Sequence, residues 1–495
     1  MGYGEQLDSG VFEVDEMDRP HEACGVFAVY APGEPVAEMA QLALHTLQHR
    51  GQEAAGIAVT DDYGEITVVK GEGLVAEVLT KKAIGGLEGP IANAHVRYGT
   101  SEHLDGFHAA HPMYYNRGGT HFTIAVNGTL TNTEELKRRY KIGPGLAGTD
   151  AEVLKDVIGS TLGEGGDLGA CLRHVLPEVD GAFSLTVTTA DGVYGARDPY
   201  GMRPLVMGSL KEGMVVTSET PALDIVGAKF VREIEPGEIV RIDKDGVHSE
   251  HFVEEAEVDE QLCAFEFIYF SRQDGELMGQ SVFAARYRMG QRLAQIAPLP
   301  EDTSGEDREV MVMPVPASGT PAAQGFAAES GLTYGDGLNR NNYVGRSFIE
   351  PSQSLRDLGV LKKLSPLREQ IEGKRLVVVD DSIVRGTTHR QVVRMLRDAG
   401  AAEVHLRITA APYQYPCFFG MDTPDKGNLI AAQMSVEEIA EHLGVDSLAF
   451  LTPEDIRWAV GSAAGRLCMA CMTGDYPAPR VPVPSVAFLE YPRLR

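Results

Sequence analysis

The sequence predicts two unlike domains in series: an α+β domain of sheets stacked against helices, then an α/β domain built on a parallel sheet. Length is the first observation, because 495 residues exceed what one hydrophobic core usually spans. Patterning is the second. From residue 24 to about 260, strand-like segments come in blocks with helices between the blocks, whereas from roughly 275 helices and buried strands alternate.

The elements follow in order. An acidic leader, residues 1–23, carries little core-forming pattern. Short apolar runs then predict strands over 24–30, 56–60, 66–70, 91–96, 122–126, 182–188, 214–218 and 237–242, with amphipathic helices over 37–48 and 151–162. In the second part a helix is expected over 282–294, a strand over 310–315 and a helix over 321–330. A strand over 375–380, a helix ending at Gly400 and a strand over 404–409 complete the alternation. The chain divides as a leader at 1–23, domains at 24–260 and 261–476, and a proline-rich tail at 477–495 expected to run over the surface.

Composition narrows the function. With 44 basic against 71 acidic residues the formal charge is −27, which excludes general nucleic-acid binding, since neutralising phosphates takes concentrated Lys and Arg. An anionic substrate therefore needs local attraction. No apolar run approaches the ~20 residues that span a bilayer, and the acidic N-terminus lacks a secretory core, so a cytoplasmic location is expected. Six cysteines are too sparse for a disulfide framework.

The richest stretch runs from Arg375 to Thr388. Leu376-Val377-Val378-Val379 suits a strand buried on both faces, and it delivers Asp380 and Asp381 into a loop of small residues before a helix. Ligands of such strand-loop-helix units sit beyond the carboxyl end of the strand, where free backbone N–H groups bind phosphate. Ser382, Arg385, Gly386, Thr387 and Thr388 fit that task, while the paired acids would face ribose hydroxyls or a bound cation. This run resembles the phosphoribosyl diphosphate (PRPP) signature of type I phosphoribosyltransferases. The same resemblance makes 315–320 the diphosphate loop, with Ser318 and Gly319, and makes Ser318, Asp380 and Asp381 the magnesium (Mg2+) positions. Ala317 stands where the family carries Asp or Glu. Residues 341–353 resemble the loop that closes over PRPP, with Asn342 and Glu350 as departures, and Arg340 and Arg346 retain positive charge suited to phosphate.

Cys24 opens the first credible strand. Alone it reads as a buried strand cysteine. The segments around Gln48-His49-Arg50-Gly51, His95-Val96-Arg97, Asn127-Gly128, Thr149-Asp150 and Asp198-Pro199-Tyr200-Gly201 occur in that order, and together they resemble class II glutamine amidotransferases of the N-terminal nucleophile hydrolase fold, an αββα sandwich. The resemblance implies that 1–23 is a propeptide whose removal makes Cys24 the first residue. Its α-amine, titrating near ~8, would then take the thiol proton. It further implies that Arg97 binds the glutamine carboxylate and Asp150 its α-ammonium, and that Asn127 and Gly128 form the oxyanion hole. Val126 replaces the His usual before that pair, from which altered loop packing is expected.

Cys468 and Cys471 form a Cys-x-x-Cys pair, which by spacing alone suits a redox couple, a zinc half-site or a cluster. The surroundings of Cys263, Cys417, Cys468 and Cys471 resemble the three regions that hold a [4Fe-4S] cluster in iron-sulfur amidophosphoribosyltransferases. Cys171 reads as core. Joined, the two halves resemble that family from about Cys24 to Tyr476. The resemblance implies glutamine-dependent amination of PRPP at the first committed step of purine synthesis, ammonia channelled between sites, a homotetramer, and feedback by AMP and GMP. The nearest enzyme rival is another class II amidotransferase, such as a hexosamine-phosphate synthase, and the Asp380-Asp381 run argues against it. The alternative of a different kind is a catalytically silent paralogue that senses PRPP or purine nucleotides.

Overall fold

The computed structural model describes residues 24–98, 109–143, 148–163, 165–254, 258–302, 307–341, 364–421 and 426–477. The leader, Arg346 with the rest of the loop from Asn342 onward, and the tail beyond Pro477 lie outside the described residues.

The first half contributes β1 (Gly25–Tyr30), β2 (Ala54–Thr60), β3 (Ile66–Glu72), β4 (Ile91–Arg97), β5 (Met113–Arg117), β6 (Thr120–Leu130), β7 (Gly181–Thr188), β8 (Gly192–Arg197), β9 (Val206–Leu210), β10 (Gly213–Thr217), β11 (Lys229–Glu233), β12 (Glu238–Asp243) and β13 (Gly246–His251). They form two antiparallel sheets, one in the order β11-β9-β10-β1-β4-β2-β3, the other β13-β12-β8-β7-β6-β5. Successive side chains of a strand point to opposite faces, and β1 uses both. Val26 and Ala28 join Ala125, Val193 and Val240 between the sheets. Phe27 and Val29 turn outward to the helix Val36–Leu47, meeting Ala40 and Leu44. The second sheet packs Phe122, Ile124 and Phe183 against the helices Asp150–Leu162 and Leu168–Val175. The layers therefore run helix, sheet, sheet, helix. β1 reads as one unbroken apolar run because it lies inside two of those layers.

Strands β5, β8, β9, β11 and β13 lie outside the expected runs, and one expected strand is longer than its apolar run. β6 does not stop at Val126 but continues to Leu130, so Asn127 and Gly128 lie within it, opposite Ser184 and Phe183 of β7. Gly128 makes this feasible: its φ is +142°, and a Cβ there would stand 2.0 Å from the Ala182 carbonyl oxygen.

The second half is a five-stranded parallel sheet in the order Thr333–Tyr334, Val310–Pro314, Arg375–Asp380, Glu403–Ile408, Ser447–Phe450. Arg375–Asp380 is central and buried throughout, as its apolar run requires. The helices Val282–Ile296 and Thr320–Ser330 approach closely through glycines, since a Cβ on Gly290 would meet the Ala322 carbonyl oxygen at 1.8 Å.

A buried ionic network joins the halves. The guanidinium of Arg50, from the short turn Gln48–Arg50, donates to Glu219 through Nε and to both carboxylate oxygens of Glu266, at 3.3 and 2.6 Å. It also donates to Ser271 Oγ at 3.2 Å. His49 Nε2 and the Arg272 amide complete Glu219, at 2.7 and 3.1 Å. Arg286 donates to the carbonyls of Phe267 and Ser271, which fixes the wide helical turn Glu266–Phe270. Burial pushes Glu219 up, yet Arg50 and His49 together hold it well below the ordinary carboxylate range.

Removing one partner leaves an uncompensated buried charge. Glu266→Leu is therefore expected to lower stability by about 3–5 kcal/mol, and Arg50→Met combined with it to deepen the loss, since buried Glu219 then lacks its guanidinium. Urea unfolding of the three proteins checks this, and a single-variant loss under about 1 kcal/mol would remove the network from its structural role. Because the folded pKa of Glu219 is depressed, its contribution is complete above the unfolded carboxyl value of about 4.3 and is lost as pH falls below it.

Candidate active sites

Cys24 is buried immediately before β1 with φ +68°. Its strand lies beside β4, where Gly25 pairs with Val96 and Val26 with His95. Contacts around it are tight: a Cβ on Gly25 would come within 3.4 Å of Arg50 Cδ. One on Gly51 would stand 2.6 Å from the Arg97 backbone, which the Glu53 amide also binds at 3.0 Å. Arg97, at the end of β4, is 9% exposed and lies 3.8 Å from Glu53.

Asp150 starts the helix Asp150–Leu162 and accepts from the amides of Leu130 and Ala151, at 3.0 and 2.8 Å. Desolvation raises its carboxyl above the usual range, with those amides and then the Arg97 charge opposing. Arg97 and Asp150 thus sense each other at the end of β6 that carries Asn127 and Gly128. Asn127 is fully buried, and neither its Nδ2 nor its Oδ1 has a hydrogen-bond partner among the described residues. Burying an amide unpaired costs about 1–3 kcal/mol, so such a group marks a place where another partner belongs.

In the second half, Asp380 and Asp381 end the central strand, both 1% exposed. His389 Nε2 meets Asp380 Oδ2 at 3.0 Å, and Ser382 Oγ donates to Asp381 Oδ1 at 2.6 Å. Ser318 donates to the other oxygen of Asp381, so the loops after two neighbouring parallel strands close on each other. Gly319 permits this approach, since its Cβ would stand 2.5 Å from the Val379 carbonyl oxygen. Gly386 holds φ +82° at the start of the helix Thr387–Asp398, where only glycine is at ease. Thr388 is buried beside it, Arg385 half-buried and Thr387 exposed. Arg340 is exposed at the end of the short strand Leu338–Arg340, and its guanidinium has no hydrogen bond or ion pair with a described residue. The structure assembles Ser318, Gly319, Asp380, Asp381 and Ser382, and no contact among the described residues links the Arg340 side chain to them.

Cys263, Cys417, Cys468 and Cys471 line one small pocket, together with Met202, Arg203, Phe419 and Tyr476. Leu262–Cys263 pairs in parallel with Leu467–Cys468, the Cys263 amide donates to Met202 O, and Cys471 O accepts from the amides of Gln414 and Tyr415. Arg203 is buried, donating to Phe419 O at 2.7 Å. Burial pushes the Cys468 thiol up to about 12 and the Cys471 thiol well above its usual value, the neighbouring sulfurs adding to both. Four soft donors around one space suit an iron-sulfur cluster by their chemistry. Cys171 is core: it lies in the helix Leu168–Val175, bonds Ile158 O at 3.5 Å and is pushed up to about 12 by burial.

Sequence reasoning gave no role to Glu266, Arg203 or His95, although all three stand inside segments it singled out, and it passed over His111. The only signal for His111 is a polar ring directly before Pro112 at a strand entrance.

A glutamine amidotransferase domain model matches residues 100–224 and a phosphoribosyl transferase domain model residues 288–415. An amidophosphoribosyltransferase from Mycobacterium leprae is 44% identical over 490 residues, covering 96% of this chain and 84% of that protein. One from Synechococcus elongatus is 45% identical over 470 residues, covering 94% and 93%. Among solved structures, the glutamine PRPP amidotransferase from B. subtilis complexed with ADP and GMP matches with a TM-score of 0.83 at 40% identity, covering 92% of this chain and 97% of that one.

The Gly128 contact can be tested against a glycine that is also far from the helical left-handed region but has no close neighbour. Gly128→Ala is expected to destabilise by well over the roughly 1 kcal/mol of a strained torsion, whereas Gly246→Ala, at φ +114° with nothing within 4 Å, should lose only the torsional part. Equal losses in thermal unfolding would remove the steric argument for Gly128.

Proposed function

The chain belongs to the amidophosphoribosyltransferase family, and from that membership we propose how its residues divide the work of glutamine-dependent amidotransfer to PRPP. The enzyme converts PRPP, glutamine and water into 5-phosphoribosylamine, diphosphate and glutamate in purine biosynthesis. The observation that carries the residue assignment is the buried, unpartnered amide of Asn127.

In this reading residues 1–23 are removed, and the freed α-amine of Cys24 takes the thiol proton. The φ of +68° at Cys24 supports cleavage, because such a torsion costs an L-residue about 1–2 kcal/mol and ceases to exist once the amine is free. Arg97 and Asp150 hold the carboxylate and ammonium of glutamine. Cys24 Sγ attacks the side-chain amide carbon, and the oxyanion is received by Asn127 Nδ2 and the Gly128 N–H, worth roughly 3 kcal/mol per donor. Collapse to the thioester expels ammonia, which leaves with the proton from the amine, and water then releases glutamate. Ammonia reaches C1 of PRPP through a closed passage that keeps it from becoming ammonium, and diphosphate departs.

At the second site the backbone around Ser318 and Gly319 cradles diphosphate, and 382–388 bind the 5-phosphate. Asp380 and Asp381 meet the ribose hydroxyls or, with Ser318, hold magnesium. All are hard oxygen donors, and the diphosphate oxygens would complete the ion's set. When bound, magnesium offsets charge developing on the leaving group. A [4Fe-4S] cluster on Cys263, Cys417, Cys468 and Cys471 would act as a cross-link and take no part in bond making. Inhibition by AMP and GMP is proposed on the strength of the relative solved with ADP and GMP, a homotetramer on family resemblance, and a cytoplasmic location on the acidic N-terminal segment without a secretory core. Among the described residues no helix is long and apolar enough to cross a membrane.

Two measurements test these roles. Cys24→Ser should abolish synthesis from glutamine while leaving synthesis from ammonium, and the intact mass of the active wild-type chain should begin at Cys24; an active chain that keeps residues 1–23 would sink the α-amine mechanism. Protein purified anaerobically should carry about four irons and four sulfides per chain, and Cys417→Ser should lose them; iron-free, fully active protein would overturn the cluster.

A further inference from the structure

β6 is paired with β7 along its whole catalytic end, through Val126 with Leu185 and Asn127 with Ser184. On its other side the last β5 pair is Met113 with Ile124. The next residue back is Pro112, which has no N–H to extend a ladder. The polar groups of Val126 on that side are instead taken up by two side chains. The Val126 N–H donates to His111 Nδ1 at 3.3 Å, and its carbonyl accepts from His95 Nε2 at 3.0 Å. An amide can only donate and a carbonyl only accept, so the protons sit on Nε2 of His95 and away from Nδ1 of His111. The rings lie 4.3 Å apart, with His95 fully buried and His111 6% exposed. Burial, then the facing charges of Arg97 and Lys70, keep both neutral; His95 is brought down to about 3, and His111, which Lys155 also faces, well below its usual value.

The two sheets meet at this contact. His95 belongs to β4 and pairs with Val26, two residues from Cys24; the peptide that it holds belongs to β6 and immediately precedes Asn127. We propose that His95 and His111 are positioning residues of the glutaminase, gripping the Val126 backbone by both its N–H and its carbonyl so that the Asn127 amide and the Gly128 N–H are fixed relative to Cys24. The inference rests on the oxyanion-hole reading of Asn127 and Gly128. Neutral imidazoles suit the task, since they set register without adding a charge that titrates in the working range.

The test compares variants of similar volume. His95→Met and His111→Met lose the bond, whereas His95→Gln keeps a donor and His111→Gln keeps an acceptor. Rates are read with glutamine and, separately, with ammonium at saturating PRPP. The Met variants are expected to lose about 10–100-fold in glutamine-dependent kcat, less than the 10²–10³ of deleting a donor outright. The KM for glutamine and the ammonium-dependent rate should stay within about threefold of wild type, and the Gln variants should recover most of kcat. Met variants with kcat within about twofold of wild type would overturn the proposal, as would loss of both activities together without rescue by Gln. If the Met variants do not fold, His111→Gln decides: near wild-type turnover supports the grip, and a loss above about tenfold with ammonium activity intact overturns it. Wild-type protein that uses ammonium but not glutamine would instead fail the Cys24 reading, and this inference with it.

Discussion

The arrangement of the two halves depends on one buried cation. Arg50 is shared between Glu219 of the first half and Glu266 of the second, in surroundings where each unpaired ion would cost several kcal/mol. A charge so placed tolerates little displacement, because a shift that separates one pair leaves a residual charge without water to receive it. Its stem presses on Gly25, next to Cys24, and its far end reaches Ser271, whose carbonyl is held by Arg286. Burial lowers Arg286 to about 10, with Asp381 first among the acids that counter the effect. Fixed charges thus run from beside Cys24 to beside the acidic pair of the other site.

The first site shows what preorganisation requires. Asn127 is held without a partner inside a core where nearly every polar group has one, and the strand that carries it is secured on both edges, by β7 and by the two imidazoles. Stability gained from those neighbours offsets the cost of a buried amide without a partner. The second site is built differently: its acids are fully engaged by Ser318, Ser382 and His389, so an incoming ligand exchanges hydrogen bonds rather than filling a vacancy.

Much of this was legible in the chain. Unbroken apolar runs such as 376–379 and 26–29 announce strands buried on both faces, and the shift from blocks to alternation announces the change of sheet type. The family's motifs placed Cys24, Arg97, Asn127, Asp150 and the Asp380-Asp381 run. What stayed hidden is long-range pairing of polar groups. Nothing local distinguishes Arg50 from a surface arginine, and its partners lie 169 and 216 residues away. Val126 suggested altered packing, but the answer stood at His111 and His95, brought there by the early end of β5. The extension of β6 through Gly128 was missed because glycine ordinarily weakens a strand, and here it admits the neighbouring carbonyl.

The ring of thiols has a consequence for synthesis of the protein. Its four members lie at 263, 417, 468 and 471, and its walls include Met202 and Arg203 from the first half and Tyr476 near the end of the described chain. No fragment can assemble it. A nascent chain halted before Cys468 would have only two of the four sulfurs, so this pocket cannot close until residues through Cys471 have been made.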